Sequence, residues 1–188
     1  MSWLVSDIPH RFSVDELVVR RYDEVDAPLL VDAVTASLPE LLQWMPWAKF
    51  EPQTVDQRAE LIRTWRDEWD SKTSFTFGIF HDDQCVGGTG FHLRGDVGEL
   101  EIGYWVATEH TGRGIASRVS RALVDIAFSL PEIEMVTIAH DRANFASQRV
   151  PEKLGFNVFK EYEREPEANS ETGIARVWRM TRGQWAQR

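Results

Sequence analysis

Hydrophobic positions recur along this chain in two rhythms, one of about 3.6 residues and one of two, and the switches between them lay out the elements. Glu16–Arg21 reads as a short strand, and a helix is expected over Asp26–Ser37 with Pro28 in its first turn. Leu41–Phe50 is apolar and aromatic and is broken by Pro46. Thr54–Ser71 carries Val55, Ala59, Ile62, Trp65 and Trp69 on one stripe, the mark of an amphipathic helix. A strand-rich block follows. Ser74–His81 and Gln84–Leu93 flank Asp82-Asp83, a hairpin signal. Glu99–Val106 alternates most cleanly, with Leu100, Ile102, Tyr104 and Val106 on one face and Glu99, Glu101, Gly103 and Trp105 on the other.

The period then lengthens. A glycine-rich turn, Thr111–Ala116, leads into a helix over Ile115–Ser129, which Pro131 closes off. Met135–His140 reads as a strand and Asn144–Leu154 as a helix ended by Gly155. Asn157–Glu165 and Ile174–Thr181 are two last strands, joined by the polar loop Pro166–Gly173. No repeat and no linker interrupts this order, which predicts one mixed α/β domain over residues 1–188.

Composition narrows the partners. The formal charge is -9, which disfavours direct contact with nucleic acid or an anionic membrane and suits a cationic or neutral ligand. The single cysteine, Cys85, builds neither a disulfide framework nor a Cys/His metal cluster, so no metal is expected and the cytoplasm is the natural compartment. The first ten residues have no cationic start and no long apolar run, unlike a signal peptide, and no stretch is apolar enough to span a bilayer. Eight Trp and ten Phe exceed what a core requires, and some of them can line a ligand cleft.

Chemistry concentrates in two segments. In the first, a strand ends at Val106, Gly112 and Gly114 make a turn, and a helix begins at Ile115. The first N–H groups of a helix lack internal partners, and the macrodipole is positive there, so such a place binds phosphate without any special side chain. Arg113 can add a charge-assisted contact. The same spacing also serves an ordinary tight turn. A Walker loop is absent, and the dinucleotide fingerprint lacks its third glycine near Ser117, leaving Asp141 as its only acidic candidate. The second segment is Asn144-Phe-Ala-Ser147 with Glu152-Lys-Leu-Gly-Phe156. Asn144 suits an N-cap, and Ser147 lies one turn in. Pro151 cannot donate to the carbonyl of Ser147, so that oxygen is freed.

Together, over Glu99–Phe156, these segments resemble the GCN5-related N-acetyltransferase superfamily. Trp44-Met-Pro-Trp47-Ala and Glu101-Ile-Gly-Tyr-Trp-Val106 look like its RimJ/RimL branch, the ribosomal-protein N-acetyltransferase-like enzymes. The resemblance implies an α/β (α+β) fold, a mostly antiparallel central sheet flanked by helices with one splayed central strand. It implies acetyl-CoA as co-substrate and a primary amine as acceptor, possible classes being a protein N-terminus and a small molecule. The pyrophosphate would rest on Thr111, Gly112, Arg113, Gly114, Ile115 and Ala116, with Thr111 standing where the family has Gln or Arg. The pantetheine arm would pair with the backbone at Trp105 and Val106, the Val106 N–H facing the oxyanion, and Asn144 and Ser147 would complete the site.

Many relatives place a tyrosine acid where this chain has Pro151, so Ser147 becomes the candidate to protonate the thiolate. Glu101, sharing a face with Glu99, is the first candidate base, with Glu163 and Glu165 as alternatives. Trp44 and Trp47 are expected to wall the acceptor site, opposite Pro166–Gly173. A non-catalytic acyl-CoA sensor and a phosphate-binding α/β protein are the competing classes. A homodimer is compatible with such a domain, although no exposed stripe in the sequence argues for one.

Overall fold

The structure is a computed structural model that describes Val5 and residues 7–188. The signal-peptide reading of the N-terminus rests largely on Met1–Leu4 and Ser6, which lie outside the described residues. Eight strands make one sheet: β1 (Arg11–Val14), β2 (Leu17–Arg21), β3 (Ser74–His81), β4 (Gln84–His92), β5 (Glu99–Val106), β6 (Met135–Asp141), β7 (Asn157–Glu163) and β8 (Ile174–Thr181). Their order is β1-β2-β3-β4-β5-β6-β8-β7, and of all neighbouring pairs only β5–β6 is parallel. Helices α1 (Ala27–Trp44), α2 (Val55–Asp70), α3 (Ile115–Ser129), α4 (Phe145–Lys153) and the short α5 (Arg182–Trp185) complete the fold. This is the mixed, mostly antiparallel sheet that the resemblance implies. No helix among the described residues is long and apolar enough to cross a membrane.

Local chemistry explains most boundaries. Asp82 and Asp83 both take left-handed φ values, 46° and 62°, as a tight hairpin turn between β3 and β4 demands. Thr54 and Gln57 form a reciprocal capping box that starts α2. Two apolar clusters form. The larger joins Leu100, Ile102, Val136 and Ile138 of the sheet to Val119, Leu123 and Val124 of α3. The smaller gathers Leu30, Val34 and Leu41 of α1, Ile62 of α2 and Tyr22.

Two features depart from the sequence reading. β1, which pairs with β2 around a turn at Asp15 (φ 52°), is too short to carry a visible rhythm. And α1 does not stop at Ser37 but runs through Pro39 to Trp44. Pro39 removes a donor to the carbonyl of Thr35, yet both residues are exposed, so the loss falls at the surface and not in the core. The buried Ser37 and Leu41 keep the helix seated beyond it.

The decisive feature lies in the middle of the sheet. β5 and β6 pair at only three positions, Glu99–Glu101 against Met135–Thr137. Beyond them β6 follows β8, with which it pairs along its whole length from Met135 to Asp141. Asp141 fixes that far end. Its buried carboxylate accepts from the N–H of Ala143 (2.9 Å), the N–H and hydroxyl of Thr172 (2.9 Å each) and the N–H of Gly173 (3.1 Å). One side chain thus ties the start of α4 to the β7–β8 loop. Burial works to raise its pKa, but those bonds outweigh burial and hold it below the usual value.

Asp141→Ala strands those donors, with an expected cost of about 2–4 kcal/mol. The check is a lower urea midpoint with an unchanged slope. Because the folded pKa is depressed, the stabilisation from Asp141 is present above the unfolded carboxylate pKa and fades as pH falls through the folded one. The variant should therefore lose part of the acid-induced fall in stability.

Candidate active site

Strand alternation fixes what β5 offers at the gap. The Ala107 N–H donates to the Val86 carbonyl on β4 at 2.9 Å. Tyr104 and Val106 point the other way along the ladder, towards the side that β6 has left. Their N–H and C=O groups therefore line an open edge.

At the end of β5 the chain enters the glycine turn. Gly112 and Gly114 have φ values of 75° and 73°, and Gly114 is the N-cap of α3. No side chain caps that helix, so its first N–H groups stand free of side-chain partners. A Cβ added at either glycine would meet nothing within 4 Å, so the glycines serve the backbone conformation and leave the approach clear. The exposed Arg113 donates to the Glu109 carbonyl at 3.1 Å. The Thr111 hydroxyl is engaged with the Thr108 carbonyl at 2.8 Å. Ile115 buries its side chain in the core, so only its backbone is available to a ligand.

On the other bank of the gap stands α4. Asn144 caps it, accepting the Ser147 N–H at 3.0 Å. Pro151 sits within the helix, and the Ser147 carbonyl it frees accepts from the Tyr104 hydroxyl at 3.1 Å. Tyr104 also lies 2.9 Å from Ser147 Oγ. A carbonyl can only accept, so with Tyr104 donating there, the serine proton points at the tyrosine oxygen. Burial pushes the Tyr104 pKa well up, which keeps the phenol protonated. Sequence reading placed Tyr104 on one face of the strand with Leu100, Ile102 and Val106 and gave its hydroxyl no role. Its hydroxyl in fact bridges β5 to α4 across the gap.

Between these parts opens a cavity of about 1190 Å³. Trp44, Trp47, Glu99, Glu101, Trp105, Asn144 and Ser147 all line it, whereas Val106, the last residue of β5, and residues 111–116 after it lie outside that lining. Trp105 turns its ring to Trp47 in an edge-to-face contact (centroids 6.1 Å apart), so its side chain belongs to the aromatic wall, while its backbone groups, of the same parity as Ala107, face β4 and not the open edge. The two expected walls are tied together. Pro46 has no N–H to offer the Leu42 carbonyl, which accepts instead from Asn169 at 3.1 Å. Ser170 completes the tie to Gln43 through its N–H (3.0 Å) and its hydroxyl (2.5 Å).

The carboxylates separate clearly. Glu99 accepts from Thr137 Oγ1 at 2.9 Å. Glu101 is mostly buried and pairs with the exposed Arg94 at 3.2 Å. Burial is the main cause that raises the Glu101 pKa, with Arg94 opposing it and Glu99 adding a smaller push. The expected mutual effect of the two carboxylates is therefore secondary to burial. Glu163 and Glu165 are exposed and do not line the cavity; Glu167 and Glu171 do. Arg94 and His92, also in the lining, carry no motif in the sequence and emerge only from strand register. Among the described residues no cluster of three or more His, Cys, Asp or Glu forms a metal site.

Residues 16–157 match the model of the acetyltransferase (GNAT) domain. The Bacillus subtilis (strain 168) protein named "Putative ribosomal N-acetyltransferase YdaF" is 28% identical over 143 residues, which is 76% of this chain and 78% of that protein. A solved structure of MccE, the microcin C7 self-immunity acetyltransferase in complex with acetyl-CoA and AMP, has a TM-score of 0.84 at 16% identity, covering 92% of this chain and 97% of that one. RimL, a ribosomal L7/L12 alpha-N-protein acetyltransferase solved in complex with coenzyme A, has a TM-score of 0.82 at 19% identity, covering 91% and 97%.

Tyr104→Phe leaves the Ser147 carbonyl without a donor. The expected loss is about 1–2 kcal/mol of stability, read as a lower thermal midpoint, with the secondary structure intact by circular dichroism.

Proposed function

The chain belongs to the acetyltransferase (GNAT) family and is an acyl-CoA-dependent N-acetyltransferase; we propose that its acceptor is the primary amine at a protein or peptide N-terminus, attacked directly within a ternary complex. The observation that carries this reading is the open edge of β5, whose Tyr104 lines a large cavity that holds Glu101 and whose end leads into the turn before the uncapped start of α3. An anion site, a strand edge and a carboxylate thus stand in the order that acyl-CoA chemistry needs.

Acetyl-CoA supplies the acetyl group as an activated thioester. The N–H groups at the start of α3, with Arg113, are placed to hold a pyrophosphate. The open edge of β5 can pair with an extended arm as an added strand does, and the Val106 N–H is available to an oxyanion. Glu101 takes the proton from the acceptor ammonium, a role that suits a carboxylate held above its usual range by burial. Ser147 gives a proton to the departing thiolate, its hydroxyl turning from the Tyr104 oxygen that it faces in the structure.

Cys85 offers no covalent route. It is buried against Tyr22 and the Gly87 carbonyl and lies outside the cavity lining, and burial pushes its thiol pKa up. The negative charge of the chain and the carboxylates of the cleft favour a cationic amine. The volume of the cavity, and the exposed Phe159 and Tyr162 in its lining, suit a peptide better than a small molecule. YdaF, named for ribosomal N-acetylation, points the same way. A cytoplasmic location fits this co-substrate and acceptor.

The direct test follows free thiol released from acetyl-CoA with free-amine peptides, polyamines and aminoglycosides as acceptors. Acceptor-dependent thiol is expected with peptides, with the acetyl group found on the α-amine. Glu101→Gln should lower kcat/KM by roughly 10²–10⁴. Arg94→Ala removes the cation that favours ionised Glu101, so its pKa rises and the acid limb of the kcat/KM profile moves to higher pH. A limb that stays in place would remove Glu101 from the role of base.

A further inference from the structure

Strand register places an unassigned imidazole beside the carboxylate. Ser74 on β3 lies directly opposite His92 on β4, and His92 lies directly opposite Glu101 on β5. Such partners share a face of the sheet, with Cβ atoms about 5 Å apart. The row continues to Thr137, the partner of Glu101 on β6. Ser74 Oγ is 3.3 Å from His92 Nδ1, which fixes one side of the ring.

Among the described residues the other nitrogen has no hydrogen-bond partner, and His92 lines the cavity. The ring lies over Gly103, where an added Cβ would come within 3.1 Å of Nε2. Glycine at 103 therefore leaves the space that the ring occupies. His140, also buried at the cavity, differs: its Nε2 accepts from Trp178 Nε1 at 2.8 Å, so that ring is fully engaged.

We propose that His92 is a second acceptor-binding residue of the proposed reaction, its Nε2 accepting a hydrogen bond from the amine nitrogen while Glu101 takes the proton. This rests on the reading of the Glu101 cleft given above. With Nδ1 protonated and donating to Ser74 Oγ, the Nε2 lone pair is left to accept. The acceptor arrives as R–NH3+ and gives one proton to the Glu101 carboxylate. The neutral amine keeps an N–H on His92 and aims its lone pair at the thioester carbon. As the C–N bond forms and the C–S bond breaks, the thiolate takes the Ser147 proton and the second proton of the nitrogen passes to Ser147 in its place. Glu101 then returns its proton to solvent.

Burial chiefly, and Arg94 as well, depress the His92 pKa to about 4, so the ring is neutral in the physiological range. The charged neighbours facing it are Glu101 and Arg94, with Glu99 one step along β5. A neutral ring can hold the amine without repelling a cation.

The test is a long-range proton–nitrogen NMR titration of the histidine rings in the CoA-saturated protein, with Ala-Ala-Ala amide as the probe. The His92 Nε2 resonance is expected to move on titration while that of His140 stays put. His92→Leu should weaken probe binding about tenfold, whereas His92→Gln, which returns an acceptor oxygen near the same place, should stay within about threefold of wild type. CoA affinity should be unchanged in both. A His92 signal that moves no more than that of His140, or Leu and Gln variants that lose the probe equally, overturns the inference. If CoA binds while His92 ignores the probe, this inference alone fails. If neither CoA nor acetyl-CoA binds, the functional reading fails with it.

Discussion

Everything in this molecule that bears on function depends on the parting of β5 from β6 after three paired residues. A sheet normally satisfies its backbone groups by pairing, and exposed ladder edges are a hazard that proteins cover. Here an edge is left open in the middle of the sheet. β6 is drawn to β8 along its full length and held at its far end by Asp141, while β5 keeps its bonds to β4. Neither strand can close the gap without breaking a ladder on its outer side. The open edge is thus held by pairing elsewhere, and it stays presented to a ligand.

Two prolines furnish the edges of the gap by the same device. A proline inside or just after a helix frees the carbonyl four residues back, and a buried carbonyl needs a donor. Pro151 frees Ser147, and the Tyr104 hydroxyl answers from β5. Pro46 frees Leu42, and the Asn169 N–H answers from the β7–β8 loop. The first bond positions Ser147 against the strand; the second ties the aromatic wall to the loop facing it. Pro39 shows the contrast. The carbonyl it frees belongs to the exposed Thr35, so no buried donor is called for.

The sequence makes some of this legible and conceals the rest for a physical reason. The uncapped start of α3, the strand over Glu99–Val106 and the freed carbonyl of Ser147 are local matters, decided within a few residues, and the residues disclose them. The donor that answers Ser147 is not local, since Tyr104 precedes it by 43 positions. The neighbours of Glu101 are likewise set by register. His92 and Arg94 carry no signal until β4 and β5 are aligned. The course of α1 past Pro39 depends on Leu41 finding the smaller core, which no local rule predicts. Trp105 faced the right way in the strand alternation, but its packing on Trp47 joins residues from separate elements.

The open edge of β5 is therefore the place to interrogate first. The measurement is amide hydrogen exchange, residue by residue, with and without acetyl-CoA. Strong new protection at the N–H of Val106, together with that of residues 115–117 at the start of α3, is the expected result, because a bound arm and its phosphates would complete the missing ladder and cap. Amides of Val106 and of α3 that exchange at the same rate whether or not acetyl-CoA is present would contradict the account.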